Sequence, residues 1–218
     1  MSTNPTITTI IFDLGGVLVD WKPEYLYREI FNKDEKKVRW FLDTVCTSEW
    51  NIEQDGGRTI EEAVNTKVAE FPQYETWIRM FYTHWEQMFS GPIRENVSLM
   101  KNLQASGKYR VYALTNWSAE KWDKALELFP FFKNFEGVVV SGQEKCRKPF
   151  PEIYHILLDR YHIEADTAVF IDDNLDNIMA AKEIGIHGIH CQDPTQLASD
   201  LYSLLNNSPD ENLSQPTM

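Results

Sequence analysis

A chain of 218 residues, 43% hydrophobic and 25% charged, suits one domain or a core with a smaller insertion, and its seven tryptophans require a large apolar interior. The net charge of −12 argues against nucleic acid or an anionic membrane as the main partner, although a local site can still be positive or metal-loaded. No apolar run approaches the ~20 residues of a membrane span, Met1 to Thr9 lacks the basic start and apolar segment of an export signal, and Cys46, Cys146 and Cys191 are too widely spaced to suggest a disulfide or zinc site, so the expected location is cytoplasmic.

Residues 1–6 read as a disordered lead. Ile7 to Phe12 is an apolar run that ends at Asp13, with Gly15 and Gly16 just beyond. It reads as a buried strand that delivers a carboxylate at its C-terminal end, followed by a loop able to approach a ligand closely. From Trp21 to about Gly91 the pattern turns helical, with no convincing strand. Val38, Phe41, Leu42 and Val45 fall at helical spacing. Thr59-Ile60-Glu61-Glu62 is a capping box. Trp77 through Phe89 carries a heavy aromatic stripe that predicts one long helix. These faces must bury against one another, so a small helical bundle follows. Gly91-Pro92 ends the block.

A helix with Ile93, Val97, Met100 and Leu103 on one face stops at Ser106-Gly107. The strand–helix rhythm then returns: strand Tyr109 to Leu114, a helix from Ser118 through Leu128, strand Gly137 to Val140, a helix from Pro151 to Tyr161, strand Thr167 to Ile171, a helix from Asn174 to Ile184, and strand Ile186 to His190. Asp193-Pro194-Thr195-Gln196 reads as the start of a last helix. Asn206 to Met218 reads as disordered. The fold class is therefore α/β: a Rossmann-like parallel sheet core with helices on both faces and an inserted helical cap. The core is expected over 1–20 and 92–206, the cap over 21–91 and a disordered tail over 207–218. Asp20-Trp21 and Gly91-Pro92 are the two crossings and the candidate hinges.

In such a sheet ligands bind at the C-terminal ends of the strands. Four stretches fall there: Asp13 with Gly15, Thr115-Asn116, Lys148 before Pro149, and Asp172-Asp173. Asp13 is the candidate nucleophile, since a carboxylate can attack phosphorus and split one hard step into two. Two adjacent acids after a buried strand repel unless a cation is present. Asp13, a backbone carbonyl near Gly15, and Asp172 or Asp173 can supply hard oxygen ligands to Mg²⁺. Lys148 can balance the remaining charge and bind phosphate, and Thr115 and Asn116 offer further phosphate donors. Asn177 can orient the aspartates or Lys148.

In this order and spacing the chain resembles the haloacid dehalogenase (HAD) superfamily over about residues 7–206. Asp13 matches the nucleophile motif, Thr115 the second, Lys148 the third, and Asp172-Asp173 with Asn177 the fourth. The resemblance implies a four-helix-bundle cap and Mg²⁺-dependent phosphotransfer to Asp13. Phe-Asp-Leu-Gly-Gly-Val and Phe-Ile-Asp-Asp-Asn-x-x-Asn-Ile look most similar to bacterial sugar-1-phosphate phosphatases of the α-D-glucose-1-phosphate type. Glu49 to Gly56 resembles the cap's substrate-specificity loop, which makes Trp50 and Asp55 candidate substrate contacts. The expected partner is a small phosphorylated metabolite, with neither nucleic acid nor membrane, and the expected state a monomer or weak homodimer.

One departure matters. Most phosphatases of the family carry a second Asp two residues after the nucleophile, as acid and base, and Gly15 stands at that position. Sugar 1-phosphates and aryl phosphates, whose leaving groups need little protonation, are the expected substrates. A cap residue such as Asp55 is the other source of an acid. The dehalogenases of the family also lack the second Asp, so a metal-independent 2-haloacid dehalogenase is one alternative. A weakly active phosphate-binding or regulatory module is another.

Overall fold

The computed structural model describes residues 6–206; the first five residues of the lead expected at 1–6, and the tail at 207–218, lie outside the described residues. The chain opens with β1 (Thr9–Phe12) and β2 (Val19–Trp21). Five α-helices follow: α1 (Pro23–Ile30), α2 (Glu35–Thr44), α3 (Ser48–Asp55), α4 (Ile60–Glu70) and α5 (Glu75–Thr83). A 3₁₀ turn at Trp85–Met88 then leads to β3 (Phe89–Pro92). After it come α6 (Arg94–Ser106), β4 (Arg110–Thr115), α7 (Ala119–Leu128), β5 (Gly137–Val140) and the short α8 (Ser141–Glu144). The last described elements are α9 (Pro151–Tyr161), β6 (Ala168–Asp172), α10 (Leu175–Glu183), β7 (His187–His190) and α11 (Leu197–Asn206).

Five strands form one parallel sheet in the order β5-β4-β1-β6-β7. β1 is central: Phe12 lies opposite Ala113 on one side and Ile171 on the other. Helices cover both faces, so the inner strands β1 and β6 are buried at every position. Their side chains alternate between two apolar layers. Ile10, Phe12, Val169 and Ile171 enter one layer, and Ile11, Ala168 and Phe170 the other. Burial of a side chain such as Phe12 or Phe170 stabilises the fold by about 1.5–3 kcal/mol each.

The first layer continues without a break into the helical block. Leu18, Tyr27, Phe41, Phe81 and Trp85 belong to the same buried cluster as Phe12 and Ile171. Within the block, aromatic rings pack edge-on and stacked: Phe31 against Trp77 at 4.8 Å, and Tyr74 on Trp77 at 5.5 Å. The Thr59 hydroxyl accepts from the Glu62 N–H at 3.2 Å, which starts α4 where the capping box predicted. The block holds five α-helices where the resemblance implied four.

Three differences from the sequence reading have local causes. The aromatic stripe from Trp77 to Phe89 is not one helix. α5 ends at Thr83, whose hydroxyl turns back on the Arg79 carbonyl at 3.1 Å. The stripe persists because residues three apart still share a face in the 3₁₀ turn that follows. Secondly, the two crossings are a paired ribbon, with Val19 opposite Pro92, Asp20 opposite Gly91 and Trp21 opposite Phe89. So short a strand containing Gly and Pro carries no strand signal. Thirdly, the last helix begins at Leu197. The Asp193 carboxylate closes a turn on the Thr195 N–H and hydroxyl, both at 2.8 Å, instead of capping the helix.

Candidate active site

Asp13 extends β1 by one residue. Its N–H donates to the Ile171 carbonyl at 2.8 Å, so the sheet itself fixes its backbone. Its Oδ1 accepts from the Leu14 N–H at 2.7 Å and from Lys148 Nζ at 2.9 Å. Lys148 sits on the loop between α8 and α9 and is 1% exposed. An ammonium has three donors. Those of Lys148 reach Asp13 Oδ1, Asp172 Oδ2 at 2.7 Å and the Leu114 carbonyl at 3.0 Å. The lysine therefore ties together the ends of β1, β4 and β6.

Asp172 is fully buried at the end of β6. Besides Lys148, it accepts from the Asn174 N–H at 2.8 Å and from Asn177 Nδ2, which is 3.1 Å from each carboxylate oxygen. Asn177 is thus placed to fix the plane of Asp172. Asp173, the next residue, is exposed. Asp13, Asp172 and Asp173 can each offer an oxygen, all within 4.8 Å of one another. Gly16 makes room for this arrangement. Its φ is +72°, and a Cβ there would lie 2.1 Å from Asp173 Oδ2.

The charges do not balance with protein groups alone. Three carboxylates face one ammonium. Burial, opposed by Lys148 but reinforced by Asp172 and Asp173, raises Asp13 from 3.8 to about 8. Burial and the neighbouring Asp172 also raise Asp173. Burial works to lower Lys148, but Asp13 and Asp172 outweigh it and hold the ammonium above its ordinary range. A donor set of carboxylate oxygens with a deficit of positive charge fits a hard divalent cation such as Mg²⁺.

Thr115 ends β4 and is 1% exposed, and its buried Oγ1 has no partner. A hydroxyl left free beside this cluster suits an anionic oxygen. Asn116 differs from expectation. Its amide does not face a phosphate: Nδ2 donates to the Lys148 carbonyl at 3.0 Å and Oδ1 accepts from the Lys148 N–H at 2.9 Å. Both ends of the side chain clamp the lysine's backbone, which positions the ammonium.

A cavity of about 80 Å³ lies beside these groups and meets them at Gly15 and Asn116. Gly15, Asn116, Trp117 and Ser118 wall it from the core. Asn51, Asp55, Tyr82 and Trp85 wall it from the helical block, with Trp21 and Lys121 at the join. A Cβ at Gly15 would meet nothing within 4 Å, so this residue leaves open space toward the cavity. A second, broader groove runs past Asp13 and Asp173 between Trp21, Ile93 and Pro194. α7 fastens the two sides together. Lys121 Nζ donates to the Tyr82 carbonyl at 2.9 Å, and Glu120 Oε1 accepts from the Ile60 N–H at 2.7 Å.

Of the two cap residues singled out from sequence, Asp55 lines the cavity and Trp50 does not. Trp50 is 7% exposed. Its indole donates to the Ala63 carbonyl at 3.1 Å and packs on Phe81, so it is part of the cap's interior. The sequence reading missed Asn51, Ser118, Trp117 and Lys121. The signal available was position: Trp117 and Ser118 directly follow a strand end, where ligand-facing residues gather.

The family model of haloacid dehalogenase-like hydrolases matches residues 7–185 of the chain. The chain is 29% identical to the sesquiterpene phosphatase of Aspergillus oryzae over 92% of its length and 97% of that protein's. It is 25% identical to the phosphorylated carbohydrates phosphatase of Thermotoga maritima, over 83% of each. Among solved structures, a HAD family enzyme of Bacteroides thetaiotaomicron in complex with magnesium and inorganic phosphate aligns with a TM-score of 0.63 at 24% identity, covering 84% of this chain and 93% of that one.

Proposed function

The chain belongs to the haloacid dehalogenase-like hydrolases, and from that premise we propose that it is a Mg²⁺-dependent phosphomonoester hydrolase that works through an aspartyl-phosphate on Asp13. The convergence of Asp13, Asp172 and Asp173 around the buried Lys148 carries this reading. An enzyme attacking carbon needs no such concentration of carboxylates, and a pure phosphate binder needs no nucleophile at its floor.

A divalent cation held by Asp13, Asp172, Asp173 and the Gly15 carbonyl would supply the positive charge that lets a phosphate dianion approach these acids. Asp13 is the nucleophile, with its backbone fixed by the sheet and its Oδ1 fixed by Leu14 and Lys148. Its carboxylate attacks phosphorus, the bond to the leaving oxygen breaks, and the phosphoryl group rests on Asp13 until water displaces it. The Thr115 hydroxyl is the donor for a phosphate oxygen, and Lys148 offsets the charge that develops there. Asn116 and Asn177 act indirectly, by holding Lys148 and Asp172 in place.

The leaving group enters the cavity. The cavity, of about 80 Å³, shares Gly15, Trp21 and Asn116 with the groove of about 750 Å³ that Asp13 and Asp173 line. Its walls mix polar groups (Asn51, Asp55, Ser118 and Lys121) with indoles. That mixture suits a small sugar or polyol, and a sugar 1-phosphate is the first substrate to test. A second reading has its own support: Trp21, Trp85 and Trp117 offer apolar area, and one relative is a sesquiterpene phosphatase. Terpenyl phosphates therefore belong in the same panel.

The test is inorganic phosphate release from that panel with Mg²⁺ or with EDTA, for the wild type and Asp13→Asn. Mg²⁺-dependent release that disappears in the variant is the expected result. Turnover that survives Asp13→Asn would remove the aspartyl-phosphate route. If no substrate releases phosphate, halide release from 2-haloacids without metal is the next assay.

A further inference from the structure

Both steps of the proposed reaction need a proton moved at the cavity side of phosphorus. An alkoxide leaves poorly unless it is protonated, and water attacks poorly unless it is deprotonated. The acids on the floor are not free for this. Asp13 carries the phosphoryl group, Asp172 is wrapped by Lys148, Asn174 and Asn177, and Asp173, beside Asp13 in the broader groove, is a ligand of the proposed cation. On the core side, Gly15 lines both the cavity and the groove beside Asp13, and it has no side chain and open space beyond it.

Among the residues that wall the cavity, Asp55 carries the one carboxyl. It is the last residue of α3. The two glycines after it lie on the catalytic-lysine loop: a Cβ at Gly57 would be 3.0 Å from Lys145 Cγ, and one at Gly56 would be 3.9 Å from Arg147 Cδ. This close approach seats Asp55 over the stretch that ends in Lys148. No hydrogen bond among the described residues ties its carboxylate down.

We propose that Asp55, delivered by the cap, is the general acid that protonates the leaving oxygen and the general base that activates water. The proposal rests on the phosphatase reading above. In the first step the phosphorus–oxygen bond of the ester breaks, its electron pair goes to the leaving oxygen, and that oxygen takes the proton of Asp55. In the second step the Asp55 carboxylate takes a proton from water, the water oxygen bonds to phosphorus, and the electron pair of the Asp13–phosphorus bond returns to the Asp13 carboxylate. The sum is ester plus water to alcohol plus inorganic phosphate, with Asp55 restored.

The groups that face Asp55 are suited to this. Burial raises it from 3.8 to about 7, against the pull of Arg147 and Lys148, so both protonation states are accessible near neutrality. The alternatives are less suited. Burial pushes the neighbouring Tyr82 phenol far up, and its hydroxyl already donates to Asn51 at 2.9 Å. Lys121 is lowered by burial, yet its ammonium is held by the Tyr82 carbonyl. At the groove, burial would raise Asp20, but hydrogen bonds from Ser90 and Tyr25 outweigh it and keep Asp20 ionised.

The test is stopped-flow hydrolysis of p-nitrophenyl phosphate with Mg²⁺ by wild type, Asp55→Asn and Asp55→Glu. Nitrophenolate leaves without needing a proton, so Asp55→Asn should still release about one equivalent per site in a burst. Its steady rate should then fall ~10²–10⁴-fold, because water is no longer activated. With an alkyl phosphate, single-turnover release should drop by a similar factor and Asp55→Glu should recover part of it. A steady rate within threefold of wild type, a change confined to KM, or loss of rate with no burst would each overturn the proposal. Asp13→Asn, run alongside, separates the two ideas: activity that survives it sinks the phosphatase mechanism itself, whatever Asp55 does.

Discussion

The floor and the roof of the cavity are organised on opposite terms. On the floor, the three donors of Lys148 go to Asp13, Asp172 and the Leu114 carbonyl, and Asn116 and Asn177 hold Lys148 and Asp172 from outside. The charged groups are buried, and the lysine joins the ends of three parallel strands. On the roof, Tyr82 links Asn51 and Gln54, Arg58 donates to Gln54 at 2.8 Å, and no hydrogen bond among the described residues joins the Asp55 carboxylate to them. The floor can do one kind of chemistry and tolerates little change. In the proposed mechanism the roof is the side that meets the leaving group.

The strongest way to test that contrast is to break the floor at its centre. Lys148→Met leaves Asp13 and Asp172 as buried carboxylates with no ammonium between them. Removing one partner of a buried charged set costs about 3–5 kcal/mol, which denaturant unfolding would read. Activity should fall by ~10³-fold or more, since both orientation and charge balance are lost. An additive effect with Asp172→Asn would show that the floor is not a unit, because members of one network couple strongly.

A smaller effect follows from the floor's charge deficit. Asp13 titrates at about 8 in the folded chain, far above 3.8, so below pH 8 the site holds a proton that a metal must displace. Mg²⁺ affinity should therefore rise ~tenfold per pH unit from about 6 to 8 and then level off. Calorimetric titration at several pH values checks this, and a flat profile would mean that the acids are ionised without the metal.

Next comes Gly16→Ala. The new methyl would collide with Asp173, and the positive φ adds about 1–2 kcal/mol of strain. Mg²⁺ binding should weaken ~10–100-fold, the usual size of a disturbance around metal ligands. On the roof side, effects should shrink and move to KM. Trp21 has a buried indole N–H with no partner and lines the cavity. Trp21→Phe should leave kcat close to wild type and raise KM for a polyol phosphate ~3–10-fold, the worth of one hydrogen bond. An unchanged KM would remove that N–H from substrate binding.

The same division decided what could be read from the sequence. The floor was legible because its chemistry restricts residue types: an apolar strand ending in Asp13, a pair of acids after another, a lysine before a proline. Each is local, and strand ends meet in any parallel sheet. The partnership of Asn116 with Lys148 was not legible, since 32 residues separate them and an amide in a loop has many possible neighbours. The ribbon of β2 and β3 was hidden for a similar reason, being a pairing across the whole helical block. The roof was half legible. Its helices announced themselves by apolar spacing, but spacing says only that a face is buried and not against what.

Trp50 and Asp55 make that last point, because both lie on α3 and both were candidates for the cavity. Five residues apart on a helix is 500° of turn, which at 100° per residue puts them about 140° apart. One of them therefore faces the cap's interior if the other faces the cavity. The apolar ring goes inside, where its N–H finds the Ala63 carbonyl and its face meets Phe81. Trp50→Phe keeps the packing volume in part and deletes that hydrogen bond. It should lower stability by about 1–2 kcal/mol and leave kcat and KM within twofold of wild type. A change in KM without a change in stability would put Trp50 back at the substrate, and would mean that α3 turns about its axis when the cap engages its ligand.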